Sequence, residues 1–243
     1  MNTKDKIDFI GKWIKSYATS NNFESLVIGI SGGIDSAVTS TLSAKTGLKT
    51  IVANMPILDH KITNDRGMSH IHWLKENFEN VEDLKIDLSD VFKNFKSALN
   101  KNNSEHGYAN SQARIRMATL YQIAASNNGI VVGTGNKVED FGIGFYTKYG
   151  DGGVDISPIA DCLKTEIWDM GKELMINQDI IEAAPTDGLW TDGRSDEDQV
   201  GLSYAEIEEA MLNEDSSNRN KYLEIRENNI HKINPIPVCI LPK

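Results

Sequence analysis

Apolar residues recur at helical spacing in several segments of the chain. Near the N-terminus, Ile7, Ile10 and Ile14 lie three or four positions apart, which predicts an amphipathic helix over residues 3–20. The same pattern predicts later helices at residues 35–45, 64–78, 109–127, 164–175, 203–211 and 214–230, with another that ends near 99. The polar stretches 101–107 and 192–198 predict loops, the second of them acidic and mobile.

Short apolar runs lie between these helices and predict buried strands at 26–30, 50–54 and 130–133, with a weaker strand at 84–88. Strands that alternate with helices are typical of βαβ units, so we expect an α/β fold with a Rossmann-like parallel sheet and helices on both faces. Ligands of such sheets bind at the carboxyl ends of the strands. The loops after Ile30, Asn54 and Val132 are therefore the expected ligand-binding loops.

Composition narrows the function classes without identifying one. The chain has 243 residues, a formal net charge of −10 and a pI near 5.0, which argues against bulk binding to nucleic acid or to an anionic membrane. No apolar signal core and no run of about 18 apolar residues occurs, so we expect a cytoplasmic protein without a membrane association. Cys162 and Cys239 lack metal-ligand spacing and are expected to be free thiols.

The loop after the first predicted strand has the composition of an anion-binding site. This phosphate loop consists of Gly29, Ile30, Ser31, Gly32, Gly33, Ile34, Asp35 and Ser36. Small residues let the backbone approach a ligand closely, and the N-terminus of the next helix adds a positive dipole end. Asp35 would repel phosphate directly, so it fits best as a ligand of a Mg2+ ion that bridges phosphate oxygens.

Two other interpretations of the phosphate loop are open at this stage. The loop could be a plain strand-to-helix turn in which Asp35 or Ser36 caps the helix. Residues 29–33 also match the G-x-S-x-G nucleophile elbow of serine hydrolases, with His231 as the available base. That second interpretation leaves Asp35 and Ser36 without a purpose.

The SGGIDS sequence at 31–36 resembles the pyrophosphate-binding loop of the N-type ATP pyrophosphatases, a group that includes GMP synthetase, asparagine synthetase and NAD synthetase. Several further stretches resemble NAD synthetase in particular, and the likeness covers nearly the whole chain. They are QARIR at 112–116, VGTGNK at 132–137, YTKYGDGGVD at 146–155, APT at 184–186, SDE at 195–197 and HK at 231–232. The resemblance implies an adenine nucleotide alpha hydrolase-like fold.

The resemblance also implies roles for individual residues. ATP would be bound by the phosphate loop together with Thr134, Lys164 and Thr186. Deamido-NAD would be bound by Arg114, Lys148, Asp155, His231 and Lys232. The Mg2+ ligands would be Asp35 and Glu139. The segment from Glu139 to Lys148 is one residue longer than in some relatives, so Asp140 competes with Glu139 as the second metal ligand.

The activity implied is that of a ligase: ATP adenylates the carboxylate of deamido-NAD, and ammonia then displaces AMP to give NAD. No covalent enzyme nucleophile is needed, and closure of segment 186–200 would exclude water. We expect one synthetase domain over residues 1–243, no glutaminase domain and a homodimer. Two alternatives remain, namely an ATP pyrophosphatase that adenylates another carbonyl and a non-catalytic nucleotide-binding module.

Overall fold

The computed structural model describes residues 1–57, 61–186 and 195–242. Its central sheet contains four parallel strands, which are β1 Ser25–Gly29, β2 Lys49–Asn54, β3 Val81–Lys85 and β4 Gly129–Val131. Their spatial order is β3-β2-β1-β4. The register pairs Val27 with Ile51 on one side and with Val131 on the other, and all three side chains are buried. Strands covered on both faces are expected to be mainly apolar, as β1, β2 and β4 are along these paired segments.

Ten α-helices and one π-helix surround this sheet within the described residues. The helices are α1 Thr3–Ser20, α2 Ile34–Lys45, α3 Lys61–Asn77, α4 Ser89–Leu99, α5 Glu105–Ser126, α6 Lys164–Glu173, α7 Gln178–Ile181, α8 Asp196–Val200, α9 Tyr204–Leu212 and α10 Arg219–Ile233. The π-helix spans Lys137–Ile143.

Hydrophobic packing covers both faces of the sheet, which confirms the predicted fold class. One cluster joins α1, α2 and α6 to the sheet through residues such as Ile14, Leu42 and Ile167. A second cluster on the opposite face includes Phe92 of α4 and Ile123 of α5. A third cluster packs the π-helix against α9 and α10 beside the sheet.

The strand order creates a crevice at one point of the sheet. The chain passes outward from β1 to β2 and β3, and then returns to place β4 on the other side of β1. Loops that follow β1 and β4 therefore leave the sheet in opposite directions, and ligands of open α/β sheets bind at such a switch point. The phosphate loop follows β1, and residues 132–136 follow β4.

Several element boundaries differ from the sequence predictions. The strand predicted at 84–88 lies at Val81–Lys85, because Asn80 anchors the chain to the carbonyls of Ala44 and Leu48 and Val81 pairs with Thr50. Part of the predicted loop 101–107 is helical, since the Ser104 side chain accepts a hydrogen bond from the Gly107 N–H and caps α5.

Three short elements were not expected from the sequence: the π-helix, α7 and α8. Helix α8 occupies the end of the stretch predicted to be a mobile acidic loop, and Ser195 caps it by accepting from the Asp198 N–H. The remainder of that stretch, residues 192–194, lies outside the described residues. Within the described part of the chain, no helix is both long and apolar enough to cross a membrane.

Candidate active site

The phosphate loop has its own hydrogen bonds but leaves the start of α2 without a side-chain cap. Gly32 has a φ of 86°, a left-handed conformation that favours glycine. The Ser31 and Ser36 hydroxyls lie 3.1 Å apart, and the Ser36 hydroxyl donates to the Gly33 carbonyl at 2.9 Å. Gly33 is the N-cap residue and makes no side-chain capping bond. The alternative in which Asp35 or Ser36 caps α2 is therefore wrong, and the N–H groups of the first turn favour an anion.

A cavity of about 860 Å³ opens at the carboxyl edge of the sheet. Its walls come from the phosphate loop, the ends of β2 and β4, helix α5, the 144–151 segment and the C-terminal part of α10. The Ser31 hydroxyl bonds only to Ser36 and to the Gly33 N–H within the described chain, so no base activates it as a nucleophile. The geometry thus disfavours a serine hydrolase and favours a nucleotide-sized ligand.

Three charged side chains meet beside the phosphate loop. The Lys164 ammonium lies 2.6 Å from Asp35 Oδ2 and 2.7 Å from Glu139 Oε1. Lys164 is only 2% exposed, although it is the first residue of α6. Asn136 holds the arrangement by donating to Asp35 Oδ1 at 2.9 Å and accepting from the Glu139 N–H at 3.0 Å. We call Asp35, Glu139 and Lys164 the charged trio.

The trio contains one more negative than positive charge in a buried environment. Burial and the nearby Glu139 raise the pKa of Asp35, against the lowering effect of Lys164. Burial also acts to raise the pKa of Glu139, but the ammonium of Lys164 and the Tyr204 hydroxyl prevail and lower it. Burial opposes the charge of Lys164, yet the two carboxylates raise its pKa. Lys164 is therefore cationic at neutral pH, and its charge can balance only one of the two carboxylates.

The π-helix places the neighbouring carboxylates Glu139 and Asp140 in different surroundings. Glu139 faces Lys164, whereas Asp140 packs against Gly135 so closely that a Cβ on Gly135 would lie 2.0 Å from Asp140 Oδ2. Burial, with Asp151 nearby, raises the pKa of Asp140 well above its usual range. Of the two carboxylates, Glu139 is therefore the one paired with Lys164.

Four of the side chains expected to bind the dinucleotide lie together along one wall of the cavity. Arg114 Nε donates to the Lys148 carbonyl at 3.2 Å, and Lys148 Nζ donates to the His231 carbonyl at 3.0 Å. Lys232 Nζ donates to the Tyr146 carbonyl at 3.0 Å. These contacts join α5, the 144–151 segment and α10 into one cationic wall.

Comparison with known proteins decides the family. The family model described as NAD synthase matches residues 6–236. The NH(3)-dependent NAD(+) synthetase of Carboxydothermus hydrogenoformans is 34% identical over 89% of this chain and 88% of its own length. The chain belongs to the NAD synthase family.

Two further proteins show how far the likeness extends. The NH(3)-dependent NAD(+) synthetase of Mesoplasma florum is 34% identical, with 96% of this chain and 93% of that protein aligned. A solved structure described as the NMN synthetase of Francisella tularensis is 30% identical and superposes with a TM-score of 0.90, covering 100% of this chain and 99% of that one. The relatives therefore differ in the product that their names give.

The trio of this NAD synthase family member fits a Mg2+ ion that is shared with ATP. Mg2+ in nucleotide sites takes one or two protein carboxylates together with phosphate oxygens. The described residues contain no set of three His, Cys, Asp or Glu side chains that could hold a metal alone, so the phosphates would have to complete the coordination. Asp35 and Glu139 share Lys164, whereas Asp140 does not reach it, which favours Glu139 as the second ligand.

The remaining predicted residues occupy different positions. Thr134 and Thr186 line the cavity, as expected of ATP-binding side chains. Asp155 is not among the residues that line it. Its carboxylate accepts from the Val131 N–H at 2.7 Å and from the Tyr121 hydroxyl at 3.1 Å. Asp155 is exposed, so a dinucleotide could reach it only from outside this cavity. Trp190 and residues 187–194 of the expected closing segment lie outside the described residues.

Two residues of the site have no role among the sequence predictions. Tyr204 reaches the trio from α9, about 65 positions after Glu139 in the chain, which no local motif could indicate. Arg116 lines the cavity and donates from Nε to the Met55 carbonyl at 3.0 Å, and burial lowers its pKa to about 10. The spacing of Arg114 and Arg116 puts them on different faces of α5, which could have indicated that only one is exposed.

Proposed function

We propose that this chain catalyses the ATP-dependent amidation of deamido-NAD by ammonia, with NAD, AMP and pyrophosphate as products. The observation that carries the proposal is the charged trio beside an uncapped helix N-terminus, in the same cavity as the cationic wall. The first group fits the triphosphate, and the second fits an anionic co-substrate. The family match supports this assignment.

The reaction begins with activation of the pyridine carboxylate. Its oxygen attacks the α-phosphorus of ATP, a P–O bond forms, and the bond to the pyrophosphate leaving group breaks. The phosphate loop and Lys164 stabilise the negative charge that develops on pyrophosphate. Mg2+, held by Asp35 and Glu139, would supply further positive charge at those oxygens. Because the adenylated carbonyl is the only activated species, no enzyme nucleophile is required.

The second step transfers nitrogen to the activated carbonyl. The lone pair of ammonia attacks the carbonyl carbon, the C–O bond to AMP breaks, and one proton of the former ammonia passes to solvent. Arg114, Lys148 and Lys232 hold the co-substrate, because a protein with a net charge of −10 needs local cations to bind a pyrophosphate. Positioning of the reactants then provides most of the rate enhancement.

The wider assignment follows from the same proposal. We place a single synthetase domain over residues 1–243 and propose that it uses free ammonia as the nitrogen source. We expect the protein to be cytoplasmic. A homodimer would complete the dinucleotide site, since Arg114 and Asp155 are exposed on this chain and Asp155 lies outside the cavity. Closure of segment 186–200 over the cavity would keep water from the adenylate.

A direct assay tests the activity. The protein is incubated with ATP, Mg2+ and ammonium, together with either deamido-NAD or xanthosine monophosphate, and amide, AMP and pyrophosphate are quantified. We expect equal amounts of NAD, AMP and pyrophosphate from deamido-NAD only. Amidation of xanthosine monophosphate would support a different ATP pyrophosphatase, and ATP binding without pyrophosphate release would support a binding module.

Nicotinic acid mononucleotide is a second candidate substrate. The structural likeness to a protein described as an NMN synthetase favours it, because that likeness covers 100% of this chain and 99% of the other. Both substrates share the pyridine mononucleotide and differ in the adenylyl half, so the trio cannot distinguish them. The ratio of kcat/KM values for the two substrates decides the question, and a ratio well above one for the mononucleotide would overturn the first assignment.

A further inference from the structure

Helix α9 directs two buried side chains at the back of the charged trio. Tyr204 and Glu208 lie four positions apart on one face of the helix, and they are 4% and 7% exposed. The Glu208 carboxylate accepts from the Thr165 N–H at 2.9 Å and from the Thr165 hydroxyl at 2.8 Å. Since Thr165 follows Lys164, this contact fixes the start of α6 and with it the backbone of the lysine.

Tyr204 contacts both a carboxylate of the trio, Glu139, and its ammonium, Lys164. Its hydroxyl lies 2.5 Å from Glu139 Oε1, the same oxygen that binds Lys164. The centroid of its ring lies 4.8 Å from the Lys164 Nζ. The ring of Trp168 packs edge-on against the tyrosine ring, with 5.9 Å between the two centroids. Two donors on one carboxylate oxygen restrain the rotation of Glu139, which is one of the two residues that would hold the metal ion.

The same hydroxyl reaches a second carboxylate on α8. Tyr204 lies 3.1 Å from Asp196 Oδ2, and its backbone N–H donates to Glu197 Oε1 at 3.0 Å. A hydroxyl carries one hydrogen, so it forms a full hydrogen bond with only one of the two carboxylates at a time. The position of α8 and the orientation of Glu139 are thereby linked through one atom.

We propose that Tyr204 is a positioning residue for the amidation reaction, which orients Glu139 for the metal through its hydroxyl and supports Lys164 through its ring. The inference rests on the proposed function, because it assigns Glu139 to Mg2+ and Lys164 to the phosphates. The inference adds that α9 orients the trio through Tyr204, and that the hydroxyl of this tyrosine connects the trio to Asp196 of α8. Tyr204 itself is not among the residues that line the cavity.

Tyr204→Phe isolates the hydroxyl, because the variant keeps the ring and its contacts with Lys164 and Trp168. The matched control is Tyr222→Phe, since Tyr222 is buried in the same hydrophobic cluster and its hydroxyl makes no hydrogen bond within the described residues. Initial rates are measured against Mg2+ concentration at fixed ATP, with melting temperatures in parallel. We expect Tyr204→Phe to need about tenfold more Mg2+ for half-maximal rate, and Tyr222→Phe to match the parent.

Each outcome bears on the proposal. A rate loss in Tyr204→Phe without a shift in Mg2+ dependence would overturn it, as would failure of that variant to fold while Tyr222→Phe folds, since either result shows a structural role alone. The KM for the pyridine substrate should stay unchanged. If the parent amidates no substrate, the proposed function fails, and Mg2+-dependent binding of ATP, measured by calorimetry on both proteins, still tests the role of Tyr204.

Discussion

Replacing Lys164 by methionine removes the only cation of the charged trio and leaves its two carboxylates facing one another. The oxygens that Lys164 now bridges lie 2.6 and 2.7 Å from its Nζ, so they are separated by about 5 Å at most. Methionine has a similar length and no charge, which keeps the packing largely intact. The variant therefore tests the electrostatic role of the lysine.

The size of the effect follows from burial and separation. Two carboxylates about 5 Å apart repel by about 3 kcal/mol at an effective dielectric constant near 20. Removal of one partner from a buried ion pair typically costs about 3–5 kcal/mol. At about 2–4 °C per kcal/mol for a chain of this size, Lys164→Met should melt roughly 10 °C below the parent at pH 7. Mg2+ alone should restore part of that loss, because it replaces the missing positive charge.

The pH dependence of the stability of Lys164→Met tests the same electrostatic account independently. Without Lys164, burial and mutual repulsion raise the pKa of the paired carboxylates above the unfolded values. Such a shift destabilises the folded state at pH values above the unfolded pKa, and the penalty disappears as pH falls and a proton binds. Lys164→Met should therefore lose less stability relative to the parent at pH 5 than at pH 7.

Thermal melts with and without Mg2+ check these values, and Lys137→Met is the matched control. Lys137 bonds to Asp161 at 2.8 Å on the surface, where Asp161 is 97% exposed, so its replacement should cost at most about 1 kcal/mol. Equal melting temperatures for the two variants would refute the account of the trio. So would a Lys164→Met protein that is fully active, because the leaving pyrophosphate would then not need this cation.

Three other predictions concern different parts of the chain. His70 is fully buried, its Nε2 lies 3.0 Å from the Ser40 hydroxyl, and burial lowers its pKa to about 4. Between pH 7 and pH 4 the unfolded chain binds a proton at this residue before the folded chain does, so the free energy of unfolding should fall by about 2–3 kcal/mol. Urea titrations should show a weaker decline in His70→Gln. Gly135→Ala should displace Asp140 and lower kcat/KM about tenfold or more, whereas Gly11→Ala, with no atom within 4 Å of the new Cβ, should keep parental kinetics. Arg116→Gln removes a half-buried cation from the cavity and should raise the KM of one anionic substrate about tenfold. Unchanged KM values for both substrates would show that Arg116 only supports the end of β2.

The fold was predictable because its signal is carried by local patterns. Buried strands of a parallel sheet are continuously apolar, and amphipathic helices follow a regular period, so β1, β2, β4 and the long helices were found within a few residues. Strand β3 was misplaced because its burial is mostly confined to Val81, and its other residues, which include Glu82 and Lys85, form no apolar run. Its position depends on pairing with β2, which is a tertiary interaction that the local sequence does not encode.

The candidate site was predictable where its residues share a contiguous motif. The phosphate loop and the cationic residues lie in short recognisable stretches, and the structure brings most of them to one cavity. Tyr204 and the contact of Glu208 with Thr165 could not be found in the same way, because each acts on a residue remote in sequence. Their positions follow from how α9 and the π-helix pack, which only the folded chain shows.

The choice between Glu139 and Asp140 as a metal ligand depends on which of the two carboxylates faces Lys164. The side chain of Asn136 accepts from the N–H groups of Val138 and Glu139 and so fixes their distance from the end of β4. The Phe145 N–H bonds to the Glu139 carbonyl, so the wide turn of the π-helix lies after Glu139. Glu139 is therefore held beside Lys164, whereas Asp140, one position further along the π-helix, packs against Gly135.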